Sequence, residues 1–227
     1  GNLDLYVSGY VDFSRRPRYT SLRFPMDFGG LPNTLYNNNG DGTFTDVTST
    51  ISVLSDASRK SMQAVFHDFN EDGFPDLFVA NDTDANGFYL NRGDGTFKPF
   101  SGPSGLSTTD GSMGVALGDM NRDGLTDLVY TNYAAEVNTL AFLIDNKSSN
   151  DGNLRNAVFI HDFDSPIVHK LSWPNISWGP GLFDLDNDGD LDLFFANGHL
   201  NSVSGDNRQS NLLFENDGKG HFSDISG

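Results

Sequence analysis

The sequence predicts an all-β protein, a β-propeller segment made of four-stranded antiparallel blades in tandem. Three observations predict it. An acidic loop motif recurs along the chain, a Gly-rich turn motif alternates with it, and no stretch shows the period of a convincing amphipathic helix. Turn formers are abundant, with 25 Gly and 9 Pro among 227 residues, which suits many short strands.

The chain opens on Gly1-Asn-Leu-Asp4-Leu-Tyr-Val-Ser, the second half of the acidic motif. A turn follows, Leu35-Tyr-Asn-Asn-Asn-Gly40-Asp41-Gly42-Thr-Phe44. The first complete copy is Asp68-Phe-Asn70-Glu-Asp72-Gly73-Phe74-Pro-Asp76-Leu-Phe-Val-Ala-Asn81, with its turn at Arg92-Gly93-Asp94-Gly95. The next copy is Asp119-Met-Asn121-Arg-Asp123-Gly124-Leu125-Thr-Asp127-Leu-Val-Tyr-Thr-Asn132, with an altered turn at Asn146–Asn153. The last is Asp184-Leu-Asp186-Asn-Asp188-Gly189-Asp190-Leu-Asp192-Leu-Phe-Phe-Ala-Asn197, with its turn at Asp217-Gly218-Lys-Gly220. The glycines at 1, 73, 124 and 189 are spaced by 72, 51 and 65 residues. One unit with loop insertions explains such uneven spacing, and Arg15–Gly30 is one long insertion.

Each unit reads strand, acidic loop, strand, loop, strand, Gly-rich turn, strand. In the second unit the strands are expected near 63–68, 77–80, 87–90 and 96–100. Asn/Asp-Gly between apolar runs is a strong hairpin signal. Leu77–Ala80 and Leu193–Ala196 are apolar throughout, as in strands buried on both faces. The expected blades are 1–50 (lacking a first strand), 61–101, 112–162 and 176–227. The Trp-Asp dipeptide is absent, which argues against a WD-type propeller.

Composition narrows the function. Fourteen Lys+Arg against 31 Asp+Glu give a net charge of −17, which excludes a general nucleic-acid binder. No apolar run approaches the roughly 18 residues of a membrane span, so no membrane insertion is expected. Without cysteine there is no disulfide framework, thiolate zinc site or cysteine nucleophile.

The acidic spacing carries chemistry. Oxygens at positions 1, 3, 5 and 9 can converge when the loop curls around Gly at position 6, and the carbonyl at position 7 adds a donor. Hard oxygen donors in a flexible loop suit Ca²⁺, whereas Mg²⁺ demands tighter octahedral geometry. The expected ligand sets are Asp68, Asn70, Asp72, Phe74 and Asp76; Asp119, Asn121, Asp123, Leu125 and Asp127; and Asp184, Asp186, Asp188, Asp190 and Asp192. Asp4 is the ninth position of a fourth, partial set. An EF-hand fails, because position 12 is Val79, Tyr130 or Phe195 rather than Glu. The Asp184 loop has four acids at the liganding positions where the others have three acids and an Asn, so it is expected to bind Ca²⁺ most tightly. Three ions would change −17 to −11.

These motifs closely resemble the FG-GAP or VCBS-type repeats of calcium-binding β-propellers, including those of integrin α chains. With Ser112-Met-Gly-Val-Ala-Leu-Gly-Asp119, Asn138-Thr-Leu, Asp192-Leu-Phe-Phe-Ala-Asn-Gly-His199 and Asn211-Leu-Leu-Phe-Glu-Asn216, the nearest likeness is to bacterial proteins of the cartilage acidic protein and UnbV group. The resemblance implies a propeller, commonly of seven blades, with Ca²⁺ between the first and second strands of each blade. It also implies an exported protein used for adhesion, glycan contact or matrix interaction.

The expected function is therefore a non-enzymatic, calcium-stabilised propeller in an extracellular, periplasmic or cell-surface setting. Its expected partners are a protein or a polysaccharide, with self-association through open propeller edges as a further expectation. The alternative is a propeller-fold sugar-converting lyase or dehydratase. No catalytic residue is assigned, since none of the five histidines shows metal-ligand spacing and no Gly-x-Ser-x-Gly elbow occurs. Arg92-Gly93-Asp94 spells an integrin-binding tripeptide, but Gly-Asp belongs to the repeated turn. Asn81-Asp-Thr, Asn146-Lys-Ser and Asn175-Ile-Ser match the glycosylation pattern. Trp173 and Trp178 are expected to pack in the core, with a sugar-stacking platform as the rival.

Overall fold

The computed structural model describes residues 2–14, 23–51, 59–144, 157–162, 165–200 and 208–227. It is mostly β. The first blade has three strands, β1 (Leu5–Val7), β2 (Thr34–Asn38) and β3 (Phe44–Asp46). The second has β4 (Ser61–His67), β5 (Asp76–Asn81), β6 (Gly87–Asn91) and β7 (Phe97–Pro99). The third has β8 (Val115–Gly118), β9 (Asp127–Tyr130), β10 (Thr139–Ile144) and β11 (Val158–His161). The fourth has β12 (Ser177–Phe183), β13 (Asp192–Asn197), β14 (Leu212–Asn216) and β15 (Phe222–Asp224). Every sheet pairs its strands antiparallel in chain order. The altered turn of the third unit and part of the long insertion lie outside the described residues.

First strands of successive blades meet. The Gln63 amide on β4 bridges to β8, accepting from Val115 N–H at 2.9 Å and donating to Val115 carbonyl at 3.3 Å. Between β8 and β12 the approach is closer still. A Cβ on Gly114 would lie 2.5 Å from Trp178 carbonyl and 2.7 Å from Gly179 Cα, so only glycine fits there.

Three apolar cores fill the spaces between neighbouring blades. Leu35 of the first blade packs with Leu77, Val79 and Tyr89 of the second. Phe78 and Phe88 pack with Leu128, Tyr130 and Phe159 of the third. Val129 and Leu140 pack with Leu193, Phe195 and Phe214 of the fourth. The second residue of the acidic loop plugs the gap in the second and third blades, with Phe69 in one core and Met120 in the next. Leu77–Ala80 is buried on both faces, as the apolar run predicts. Of the apolar run in β13, Leu193 and Phe195 are buried while Phe194 and Ala196 are partly exposed, because no described sheet covers that side.

A polar ladder runs beside the apolar cores. Ser61 Oγ accepts from Asn33 Nδ2 of the preceding blade at 3.0 Å and donates to Asn81 Oδ1 of its own blade at 2.7 Å. Ser112 repeats this between Asn86 and Asn132, and Ser177 between Asn138 and Asn197. Within a blade the ladder continues through Asn81 N–H to Asn86 Oδ1, Asn132 N–H to Asn138 Oδ1 and Asn197 N–H to Asn211 Oδ1. Each serine N–H also donates to the preceding blade, at the carbonyls of Gly9, Asn81 and Asn132. The buried serines and asparagines of this ladder are thus hydrogen-bonded to one another across the junctions.

Among the described residues two short α-helices lie in the connections between strands. The helix α1 spans Ser101–Ser104 and α2 spans Pro166–Ser172. At seven residues α2 is under two full turns, too short to display a helical period in sequence. Pro166 starts it, where a missing N–H costs nothing. Its Val168 is fully buried in the core between the third and fourth blades.

Candidate metal centre

Each acidic loop joins the first two strands of its blade, and the three complete loops share one hydrogen-bond design. The position-1 carboxylate accepts the amides of positions 5 and 6. For Asp68 these are Asp72 N at 3.0 Å and Gly73 N at 2.7 Å. Asp119 does the same with Asp123 and Gly124, and Asp184 with Asp188 and Gly189. The position-5 carboxylate accepts the amide of position 7, at Phe74, Leu125 or Asp190. Left-handed backbone makes the curl. Gly73, Gly124 and Gly189 have φ of 90°, 85° and 91°, and Glu71, Arg122 and Asn187 at position 4 have 55°, 58° and 64°.

The ninth-position aspartates do more than their spacing reveals. Each is buried and uses both oxygens to tie three segments of its blade together. Asp76 accepts Phe69 N from the loop at 3.1 Å and Asn91 N from the third strand at 2.9 Å. Asp127 accepts Met120 N and Leu143 N, and Asp192 accepts Leu185 N and Asn216 N. Burial pushes the Asp76 and Asp127 carboxyls up to about 7; the neighbouring acids of each loop add to the rise, and only the amide donors oppose it. An ionised carboxylate has about four lone-pair sites, so two amides leave capacity for a cation. Asp4 keeps the same tie, accepting Asn38 N at 2.9 Å.

The loops differ at position 3. In the second and third blades an asparagine amide bridges to the position-5 acid, Asn70 Nδ2 to Asp72 Oδ2 at 2.9 Å and Asn121 Nδ2 to Asp123 Oδ2 at 3.0 Å. In the fourth blade Asp186 has no proton to give. Carboxylate oxygens of Asp184, Asp186 and Asp188 converge to within 4.8 Å of one another and are exposed. Three like charges this close repel, and an oxygen-only donor set fits a hard divalent cation such as Ca²⁺.

The chain matches the model of the FG-GAP-like repeat over residues 1–79 and again over 68–130, which takes in the Asp68 and Asp119 loops. This chain belongs to the FG-GAP-like repeat family. Among curated proteins, cartilage acidic protein 1 of Homo sapiens is 34% identical over 123 residues, 54% of this chain and 17% of that protein. Cartilage acidic protein 1 of Xenopus tropicalis is 32% identical over the same length and shares. The matched stretch is therefore under one fifth of these relatives' length. The FG-GAP-like assignment agrees with four tandem antiparallel sheets.

The structure also places the weaker motifs. In this FG-GAP-like chain the Asp94 carboxylate accepts both Thr96 N and Thr96 Oγ1, holding the hairpin turn. Asn81 is 1% exposed, and its amide donates to Ala85 carbonyl, which rules out a glycan there. Asn146 lies outside the described residues. The expected core packing of the tryptophans is corrected. Trp173 is 54% exposed, because it closes α2 in a connection, and Trp178 is half-buried with Nε1 donating to Gly198 carbonyl, because it falls at the irregularity between Ser177 and Gly179 of β12. Sequence reasoning missed a pair on the opposite end of the blades from the acidic loops, where Tyr10 Oη donates to Asp82 Oδ2 at 2.5 Å. Only the contact between the first two blades brings these residues together.

Proposed function

We propose that this chain is a calcium-stabilised propeller segment whose blades form a rigid, non-enzymatic interaction surface for an extracellular protein or polysaccharide. The convergence of Asp184, Asp186 and Asp188 carries this reading. Asp184, Asp186, Asp188, the Asp190 carbonyl and Asp192 would hold the ion in the fourth blade. The corresponding residues from Asp68 to Asp76 and Asp119 to Asp127 would do so in the second and third. Bound Ca²⁺ supplies the charge that lets several carboxylates share one small loop. The loops then anchor both the first and third strands of each blade through the ninth-position acid.

The relatives' name refers to an acidic protein of cartilage, which supports an extracellular setting here. Extracellular calcium modules work at about 10⁻⁴–10⁻³ M, so the loops would be loaded outside cells. No helix among the described residues is long and apolar enough to cross a membrane.

Thermal unfolding at about 1 mM Ca²⁺ and in excess chelator tests this. Each site adds about 2.7 kcal/mol at a hundredfold excess over Kd, so a rise in Tm is expected. Much of it is lost when Asp184 and Asp188 become Asn. Equal curves from a sample that metal analysis shows to be calcium-free in chelator would overturn the reading.

A further inference from the structure

Arg122 is the fourth residue of the acidic loop of the third blade, but its guanidinium lies on the loop of the fourth. Nε pairs with Asp190 Oδ1, and Nη2 donates to Asp188 carbonyl at 3.1 Å. Nη2 is also 2.8 Å from where a Cβ on Gly189 would stand. Asp190 is 5% exposed. The other two loops carry apolar residues at this seventh position. Phe74 lies over Gly93 of its hairpin turn, and Leu125 packs on the core. Asp190 takes the same place over Gly218, whose added Cβ would be 2.6 Å from Asp190 Oδ2. A buried acid thus replaces an apolar cover. A buried charge needs a partner, and a residue of the neighbouring blade provides it.

We propose that Arg122 is a built-in counter-cation for the fourth-blade loop. It holds that loop in place when no metal is bound and lowers the loop's affinity for metal. The second half rests on the calcium reading above. The Arg122–Asp190 pair is neutral. Removing the guanidinium leaves one more uncompensated negative charge beside the loop, which attracts a divalent ion more strongly, and removing the Asp190 charge does the reverse. Asn216 Nδ2 adds a second link between the loops, donating to Met120 carbonyl at 2.8 Å and to Leu191 carbonyl at 2.9 Å. The third-blade loop therefore sets the properties of the fourth-blade loop, in addition to its own.

The amides of Gly73, Gly124 and Gly189 each donate to the first acid of their own loop, so each reports one site. NMR of the chain labelled with ¹⁵N-glycine, during a Ca²⁺ titration and in chelator, gives site-resolved midpoints and solvent exchange. In Arg122→Gln the Gly189 midpoint is expected at roughly fivefold lower Ca²⁺, from one unit charge acting on a divalent ion through water. In chelator its Gly189 amide exchanges faster than in the parent, while Gly73 is unchanged in both respects. Asp190→Asn shifts the midpoint the other way, and Arg122→Lys, which keeps the charge, stays near the parent. A residue with only a packing role would weaken both the loop and its binding. An unchanged or higher Gly189 midpoint in Arg122→Gln, with Gly73 titrating normally, overturns the counter-cation role alone. Three silent amides in the parent chain would overturn the calcium reading itself, and with it the competition.

Discussion

The side-chain amide of Asn138 donates to Ser177 Oγ at 2.8 Å across the junction of the third and fourth blades. The same Asn138 accepts Asn132 N–H through its Oδ1 at 2.8 Å. One side chain therefore holds the end of its own second strand and the start of the next blade. Asn138→Ala leaves a buried N–H and a buried hydroxyl short of a partner and is expected to destabilise by about 2–3 kcal/mol. Asn211 occupies the same repeat position but is exposed, so Asn211→Ala should cost less than about 1 kcal/mol, since water can replace what is lost. Urea unfolding of the two variants compares them directly. Equal losses would refute the ladder.

The acidic loops contribute apolar plugs as well as acids. Met120 is fully buried between the third and fourth blades, whereas Leu185, its counterpart one blade on, is 45% exposed. Met120→Ala should cost about 2–5 kcal/mol, and Leu185→Ala in this chain well under half of that. Denaturation midpoints with an unchanged slope would check both.

Gly114 sets the spacing of the innermost strands. Its φ is unremarkable, and the obstacle is the Trp178 carbonyl 2.5 Å from an added Cβ. Gly114→Ala must push β8 away from β12 and is expected to cost about 1–3 kcal/mol, as overpacking does. Gly102, with nothing within 4 Å of its Cβ position, should accept Ala with no loss, so the pair separates a steric effect from a general dislike of substitution. Thermal melts suffice, and a neutral Gly114→Ala would show that the blades do not meet there.

The ninth-position acids predict a pH dependence. Asp127 is raised to about 7 by burial, above its value of about 4 in an unfolded chain. Such a group favours folding below about pH 4, and that contribution is lost as pH rises through about 7. Half-buried His67 acts in the opposite sense, since burial lowers its pKa, so the single-site comparison is the informative one. In chelator, stability measured from about pH 5 to 8 should fall less steeply for Asp127→Asn than for the parent. With Ca²⁺ present, binding near pH 7 should release protons, which calorimetry in buffers of differing ionisation enthalpy detects. A steeper fall in Asp127→Asn would contradict the burial effect.

Much of this was legible in the chain. The repeat placed the loops between the first and second strands, because Asp-x-Asp/Asn-x-Asp-Gly forces a curl and the apolar run after it can only be a buried strand. Ser112-Met-Gly, Asn138-Thr-Leu and Asn211-Leu-Leu were visible as recurring text. Their purpose was not, since a serine and an asparagine 39 residues apart meet only when two blades stack. The exposure of Trp173 and the seven residues of α2 were hidden for a different reason. Both belong to connections, where no period constrains the sequence.

The sequence by itself determined the repeat, the strand order within each blade, the metal-type spacing of the loops and the acidic charge. These depend on residues close along the chain, whose geometry local sterics and hydrogen bonding dictate. Only the tertiary structure decided which charges face one another between blades. That Arg122 reaches the loop of Asp190 and that Leu185 lies bare where Met120 is buried follow from the stacking of blades, and that Asp76, Asp127 and Asp192 tie their third strands follows from strand pairing within each blade. Packing brings together residues far apart in sequence, and no local pattern encodes which neighbour a side chain will meet.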